Sequence, residues 1–300
     1  MDDKESLRKA LKGAYAVFSL TNYWDHMDPE RETTQGINVA DVAAVSPLCD
    51  CLIIYSPWLD FEKLIRIYTF SGARRRALDL FFAPEHHRKW DHLPLPDLAA
   101  CMHAYTLHIQ VLTRYPDFLV SNGRYTCVPH FNSKAKVESY IRDKLPNLPS
   151  TFFLAGCYMT NFSGPFSGVM FPYDPATNSY TFTLPIPHTA ACIPIFEAYH
   201  DTGKFVKAIL TKRDQTLGKR VLGATKYASA QELADEFERV RGIKASAVFV
   251  PTDQWKLKAW EPAREEMAQS MEMMGTTGYY GHESLDWSLS VSPSLYTMLV

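Results

Sequence analysis

The sequence lacks the long apolar segments that a membrane protein needs. No apolar run in its 300 residues approaches the ~20 residues required to span a bilayer. Residues 1–13, MDDKESLRKALKG, contain no apolar stretch typical of a secretory signal. Six cysteines are too few for a disulfide framework, which favours a reduced intracellular protein. We therefore expect no membrane contact and a location in the cytoplasm or the nucleus.

Three further absences limit the functional classes. Lys and Arg number 31 and Asp and Glu number 33, and this balance argues against direct nucleic-acid binding. Neither G-x-G-x-x-G nor G-x-x-x-x-G-K-[ST] occurs, so the glycine-rich phosphate loops are missing. Cys49-x-Cys51 has the wrong spacing for a metal site. No recognised ligand spacing joins the histidines between residues 60 and 120, which are His86, His87, His92, His103 and His108. We expect no metal centre.

The sequence does contain short apolar segments that alternate with helical patterns. Residues 14–20, 51–55 and 151–155 are apolar and aromatic, as buried strands are. Such strands, separated by helices, are typical of a parallel sheet with helical crossovers. We expect the three strands to be neighbours in one sheet of an α/β fold. The predicted helices cover residues 3–12, 35–45 and 133–142.

The later part of the chain contains shorter α/β units. Ser229 and Glu232 have the spacing of a capping box, and Gly242 lies where that helix should end. We expect these units to form a smaller C-terminal α/β lobe beside the sheet. Its other predicted elements are strands over 180–184, 219–224 and 245–250 and a helix over 201–211.

Polar and aromatic side chains follow two of the predicted strands. Residues 21–24 follow the first strand, and residues 156–162 follow the third. Ligands of open parallel sheets bind beyond the carboxyl ends of the strands. Asn22 and Asn161 offer amide groups there, and Tyr158 offers a flat surface with a polar tip. The competing interpretation is that the aromatic side chains pack at the rim of the core.

His130 and Lys134 are four residues apart, so a helix would place both side chains on one face. An ammonium there can hold ribose hydroxyls, and its positive charge can lower the pKa of a nearby proton donor. The competing interpretation is a solvated helix start with Asn132 or Ser133 as its N-cap.

The segments VPHFNSKAKVESYIR (128–142) and FFLAGCYMTNF (152–162), with others in the same order, resemble the NmrA-like family. This family consists of atypical members of the short-chain dehydrogenase/reductase superfamily. The resemblance implies a Rossmann fold that binds NADP or NAD. It also implies either a reductase or a redox-sensing regulator that binds partner proteins, including transcription factors. The other matching segments are residues 7–25, 35–44, 201–210 and 278–289.

The resemblance also assigns roles to residues. It implies that Lys134 is the superfamily's catalytic-site lysine, and that His130 replaces the catalytic tyrosine four positions before it. This replacement is typical of the regulatory branch and weakens the case for ketone reduction. The residues that would line the cofactor groove or close over the nicotinamide are Thr21, Asn22, Tyr23, Lys134, Tyr158, Met159, Thr160 and Asn161.

Two departures from the family pattern affect these expectations. Family members have a strand, a glycine-rich turn, a helix and two further strands before the segment that matches Asp2-Asp3, so the sheet is expected to be truncated at its N-terminus. An insertion of about sixty residues occupies positions 60–120. Two interpretations of this insertion are open: it is either non-coding sequence translated by mistake or a real subdomain. A helical stripe favours the subdomain, and it comprises Leu98, Met102, Tyr105, Ile109 and Leu112.

The expected NmrA-like domain covers residues 1–290. Residues 1–58 and 121–175 form its Rossmann part, and residues 176–290 form the lobe for substrate or partner. The leading functional hypothesis is a redox-sensing or transcriptional co-regulator with a protein partner or a homodimeric state. The alternatives are an NAD(P)H-dependent oxidoreductase of secondary metabolism, using Lys134 and His130, and a degenerate fragment with neither activity. Because the glycine turn is missing, we expect weak or no binding of NADP or NAD.

Overall fold

We describe a computed structural model of the chain. It describes residues 1–14, 16–46, 51–55, 108–110, 121, 123–162 and 167–292, with only the backbone given for 51–55 and 108–110. Among these residues no helix is both long enough and apolar enough to cross a bilayer. The same part of the chain contains no group of three or more His, Cys, Asp or Glu side chains placed to hold a metal ion.

Among the described residues, the first half of the chain contains four strands of a central parallel sheet, one short strand of a second sheet, and three helices. The strands are β1 (Val17–Leu20), β2 (Cys51–Tyr55), β3 (His108–Gln110), β4 (Ser150–Ala155) and β5 (Cys157–Tyr158). The helices are α1 (Lys4–Leu11), α2 (Pro29–Ala44) and α3 (Pro129–Lys144), with 3-10 turns at Tyr23–Asp25 and Met159–Phe162.

The second half alternates short strands and helices. Its strands are β6 (Tyr173–Asp174), β7 (Ser179–Leu184), β8 (Ile193–Phe196), β9 (Arg220–Gly223), β10 (Lys226–Ala228) and β11 (Lys244–Phe249). Its helices are α4 (Ser167–Met170), α5 (Ala198–Thr211), α6 (Arg213–Thr216), α7 (Ala230–Arg241), α8 (Thr252–Trp255), α9 (Arg264–Thr276) and α10 (Asp286–Val291). Further 3-10 turns cover Lys256–Lys258 and Glu261–Ala263.

The central sheet has the strand order β1-β2-β3-β4-β9, and all of its pairings are parallel. The prediction that the first three apolar strands share one parallel sheet is confirmed, but their expected adjacency holds in full only for β1 and β2. β3 lies between β2 and β4, which also touch through Leu52 and Ser150. Every residue of β4 is buried, as expected for a strand covered on both faces.

The C-terminal part does not stand wholly beside this sheet. β9 pairs with β4 from Phe152–Arg220 to Ala155–Gly223, so a strand assigned to the lobe completes the central sheet. Two small sheets hold the remaining strands, in the orders β10-β8-β5 and β11-β7-β6. The domain boundary at 175/176 stays a prediction. β9 comes after that boundary in sequence but pairs with β4, which comes before it.

The expected helical stripe in the 60–120 region is wrong at Ile109. This residue lies in β3, where it pairs with Val17 and Ser150. Apolar residues at helical spacing can satisfy a strand equally well when the pattern is short, because periodicity alone does not separate the two. The other four stripe residues and most of the proposed insertion lie outside the described residues.

Helix boundaries follow local capping signals. The capping box of Ser229 and Glu232 forms as predicted, and Gly242 ends α7 with a left-handed φ of 65°. α2 begins six residues before the predicted start, because Asp28 caps it and Pro29 occupies the first turn. α3 begins at Pro129, so the expected caps at Asn132 and Ser133 are wrong. Its N-cap residue is Val128, whose side chain has no oxygen to accept a hydrogen bond.

α2 and α3 pack closely because α2 carries a glycine at their contact. A Cβ atom on Gly36 would lie 2.6 Å from a methyl of Val137, inside van der Waals contact. Gly36 stands one turn after Glu32, and Val137 stands three residues after Lys134. The glycine therefore sets the spacing at which the side chains of the two helices meet.

Replacing Gly36 with alanine should destabilise the protein by about 1–3 kcal/mol, since the new methyl overpacks the contact with Val137. Gly203→Ala is the matched control, because Gly203 lies inside α5 with nothing within 4 Å of the added atom. That substitution should stabilise the protein by up to about 1 kcal/mol through helix propensity. Urea unfolding measures both changes, and equal effects at the two glycines would contradict the close packing of α2 on α3.

Candidate functional site

Three elements converge on the first turns of α3. The turn after β1 contributes Tyr23, and the first turns of α2 and α9 contribute Glu32 and Glu266. α3 itself contributes His130 and Lys134. Glu32 is 102 positions from Lys134 and Glu266 is 136 positions from His130, so only the folded chain brings these groups together.

Lys134 lies in the protein interior with 1% of its side chain exposed. Its Nζ donates to Oε1 of Glu32 at 2.6 Å and to the backbone oxygen of His130 at 2.9 Å. The hydroxyl of Ser133 donates to the second oxygen of the same carboxylate. The interpretation as a solvated helix start is therefore wrong. An ammonium buried this deeply needs a partner, and Glu32 supplies it.

Glu266 acts as the missing cap of α3. Its Oε1 accepts the backbone N–H of His130 at 3.2 Å and also contacts Nδ1 of the His130 ring. The side chains of both residues are almost fully buried. A helix N-terminus carries unpaired N–H groups and a partial positive charge, so a carboxylate from another helix is favourable there.

Tyr23 completes this cluster from the end of β1. Its hydroxyl donates to Oε2 of Glu266 at 3.0 Å. Burial, together with the neighbouring Glu266 carboxylate, raises the pKa of Tyr23 well above its ordinary value. The ring of Trp24 meets Tyr23 edge-on at 5.1 Å and lies 5.2 Å from the His130 ring. These aromatic rings cover the cluster on the side of the strand end.

A small cavity of about 20 Å³ borders the other side of the His130 ring. Ser270 stands on its wall, with its hydroxyl 3.5 Å from Nε2 of His130. Tyr158 and Asn161 also line it, so the structure brings these two predicted residues to His130. The volume holds about one water, whereas small-molecule pockets measure roughly 300–1,000 Å³. The remaining lining residues are Gly156, Cys157, Met170, Met267, Met271 and Tyr279.

The other predicted groove residues serve local structure. Thr21 is buried, and the side-chain oxygen of Asn22 accepts the backbone N–H of Trp24 at 3.2 Å to cap the 3-10 turn. Met159 and Thr160 lie half-buried on the 3-10 turn after β5. Their roles as cofactor ligands stay predictions.

Sequence reasoning missed Glu32 and Glu266, which hold the cluster together. One signal for Glu32 was available, since it stands four residues before Gly36 and shares its helix face. A glycine on that face favours close packing there, which would bury a carboxylate on the same face. Glu266 offered no such signal, because its partners Tyr23 and His130 lie 243 and 136 positions away in sequence.

A larger open groove of about 410 Å³ is lined by residues of α8 and α9, by the residues that flank α8, and by Arg124 and Tyr125. Its charged side chains bond to one another. Arg124 pairs with Glu272 at 2.5 Å, and Lys256 lies 3.4 Å from Asp253 and 3.7 Å from Glu265. This groove contains none of the residues that the sequence nominated for chemistry.

The described cysteines show no features of a reactive thiol. Cys127, Cys157 and Cys192 form no disulfide bond, and Cys157 is buried. Burial raises the pKa of Cys192 to about 11, and burial with nearby Glu266 raises the pKa of Cys127. Because the thiolate is the reactive form, these shifts disfavour oxidation chemistry at both positions.

The resemblance places a nicotinamide nucleotide against Tyr23, Lys134 and Tyr158. All three side chains are buried, and the polar groups of Lys134 and Tyr23 bond to Glu32 and Glu266. The cavity beside them has room for one water. In this arrangement the residues do not fit the nucleotide.

Lys134→Met should destabilise the protein by about 3–5 kcal/mol, because it leaves the Glu32 carboxylate buried without its cation. Lys136→Met is the control, since Lys136 is exposed on the same helix and should change stability by less than about 0.5 kcal/mol. Adding Glu32→Met to Lys134→Met should recover much of the loss, because no uncompensated charge remains. Denaturant unfolding tests this, and equal effects of the two lysine substitutions would contradict the buried pair.

Alkaline pH should destabilise the protein partly through Tyr23. Its raised pKa means that the folded state holds the phenol proton more tightly than the unfolded chain does. The stabilisation is complete below the unfolded value of about 10 and is lost as pH rises above it. Tyr23→Phe should therefore flatten the fall of unfolding free energy above pH 10, by up to about 1.4 kcal/mol per pH unit. Tyr199→Phe, at an exposed position, serves as control, and identical slopes would contradict the burial of Tyr23 against Glu266.

Comparison with known proteins agrees with this architecture. NmrA, a negative transcriptional regulator in complex with NAD, matches with a TM-score of 0.64 and 17% identity over 98% of this chain and 74% of that chain. A triphenylmethane reductase from Citrobacter sp. with NADP(H) matches with a TM-score of 0.55 and 14% identity, over 97% and 76%. An NADPH-dependent quinone oxidoreductase from Escherichia coli with NADPH matches with a TM-score of 0.56 and 10% identity, over 100% and 81%.

At these identities the structural matches show a shared α/β fold, in relatives that bind NAD or NADP. The sequence pattern of the NmrA-like family matches residues 114–297, which is more than half of the chain. The chain belongs to the NmrA-like family.

Proposed function

We propose that this chain is a regulator of the NmrA kind, which acts by binding another protein and does not reduce a substrate. The observation that carries the proposal is that His130 is bonded to Glu266 inside the protein. This residue takes the place of the superfamily's catalytic tyrosine, and it is tied to Glu266 by both its ring and its backbone.

Reduction of a carbonyl requires a proton donor within hydrogen-bond reach of the oxygen that receives the hydride. Nδ1 of His130 faces Glu266, and the ring packs between Trp24 and Phe131. Nε2 faces Ser270 and a cavity of about 20 Å³, which a carbonyl substrate cannot enter. The side chain that would donate the proton therefore supports the structure instead.

The likeness to NmrA supports the regulatory assignment, since that relative is a negative transcriptional regulator. The proposed partner is a protein, and a second copy of this chain is the alternative partner. The near-even charge balance gives no electrostatic basis for direct nucleic-acid binding. The proposed location is the cytoplasm with access to the nucleus.

An NAD(P)H-dependent oxidoreductase is the second candidate, and one observation favours it. His130, Tyr158 and Asn161 share one cavity, and methionines form part of its wall. Methionine side chains repack readily, so a suitable substrate could enlarge this cavity. Two of the structural relatives are reductases, of triphenylmethane dyes and of quinones.

Steady-state assays with NADPH or NADH separate the two candidates, using quinones and triphenylmethane dyes as acceptors. The proposal expects no turnover above the rate without protein, for both wild type and His130→Phe. Turnover that His130→Phe abolishes, while the variant keeps the wild-type circular dichroism spectrum, would establish the reductase.

A second measurement tests the regulatory role itself. Transcript levels should change when the protein is removed from its host, and re-expressed wild-type protein should restore them. An unchanged transcript profile together with no turnover would favour the degenerate fragment over both candidates.

A further inference from the structure

We infer that this chain seals the nicotinamide side of its fold with two of its own carboxylates, Glu32 and Glu266, so that the folded protein excludes NAD and NADP in both redox states. A regulator of the proposed kind could bind a nucleotide or exclude it, so this inference goes beyond the proposed function. It means that the chain does not report the redox state of the nicotinamide pool.

The first part of the seal is the Lys134 ammonium, whose hydrogen bonds go to acceptors within the protein. Nζ donates to Glu32 at 2.6 Å and to the backbone oxygen of His130 at 2.9 Å. A ribose hydroxyl would have to replace this ion pair with a bond from the ammonium to a neutral oxygen, and the attraction between the two opposite charges would be lost. The displaced Glu32 carboxylate would then remain buried without a cation, and its cost would be subtracted from the binding energy.

The second part is the immobility of Glu32. Its carboxylate is 2% exposed and accepts the hydroxyl of Ser133 as well as the Lys134 ammonium. One helical turn further on, Gly36 and Val137 hold α2 and α3 in close contact. A ligand that displaced the carboxylate would have to break both of these hydrogen bonds inside a closely packed helix pair.

The third part is Glu266 at the start of α3. A helix N-terminus is a natural position for a phosphate or another anion. Here the anion is a side chain of the protein, which accepts the N–H of His130 and the hydroxyl of Tyr23. Tyr23, which the resemblance places in the cofactor groove, and His130, which it places at the position of the catalytic tyrosine, thereby both bond to one internal carboxylate.

Calorimetry and thermal shift on the full chain test the seal, with NADPH, NADP, NADH, NAD and nicotinamide mononucleotide as probes. The mononucleotide isolates the nicotinamide side, because it lacks the adenosine half and the pyrophosphate. We expect no saturable heat and no rise in melting temperature at millimolar concentrations. Micromolar binding of any probe by the wild type overturns the inference.

Glu32→Gln tests whether Glu32 causes the exclusion. The amide keeps the shape of the side chain but removes the negative charge that holds Lys134. The folded variant should bind nicotinamide mononucleotide at least about tenfold more tightly than wild type. Glu30→Gln, at an exposed position in the same turn of α2, should behave as wild type. A folded Glu32→Gln protein that gains no affinity overturns the inference, since the exclusion would then have another cause.

Reductive methylation of the wild type keeps the inference testable if Glu32→Gln does not fold. Lys136 should be methylated rapidly, and Lys134 should stay unmodified until the protein unfolds, with or without NADPH. Equal methylation of the two lysines overturns the inference. Binding without turnover would contradict the seal but leave the regulatory proposal standing, whereas turnover would contradict both.

Discussion

The buried ion pair between Lys134 and Glu32 constrains most of the other features of this structure. Removing two charges from water costs several kcal/mol each, and their attraction offsets that cost only when the geometry is held. The structure holds it with the hydroxyl of Ser133 on the carboxylate and the glycine contact between α2 and α3. The pair in turn fixes where α3 begins relative to α2, and hence where His130 lies.

His130 links this pair to the second carboxylate. Its backbone oxygen accepts from Lys134, and its N–H and ring contact Glu266. Tyr23 then ties Glu266 to the end of β1. Three of the residues that the family resemblance nominates, Tyr23, His130 and Lys134, are therefore connected through one polar cluster in the interior. This cluster ties α2, α3 and α9 together, and the cavity beside His130 is too small for a substrate.

Much of the fold could be predicted because its strands are short apolar runs and its helix ends carry strong local signals. The shared sheet of β1, β2 and β4 and the capping box at Ser229 are examples. The predictions failed where tertiary contacts override the local pattern. Ile109 pairs with neighbouring strands, and α3 starts without a capping side chain of its own because Glu266 caps it from another helix.

The candidate site was predicted in part for the same reason. The four-residue spacing of His130 and Lys134 suits one helix face, and the observed helix contains both, although the predicted helix began only at residue 133. Their burial could not be read from the spacing, since the two carboxylates that permit it lie 102 and 136 positions away. A lysine that looks exposed in sequence can be fully buried when the fold supplies an anion, and only long-range contacts reveal that anion.

An experimental structure of the full chain in millimolar NADPH tests the central claim most directly. The account predicts Lys134 Nζ within hydrogen-bond distance of Glu32, Glu266 on the start of α3, and no nucleotide between them. A nucleotide whose ribose hydroxyls contact Lys134, with Glu32 displaced into solvent, would contradict it.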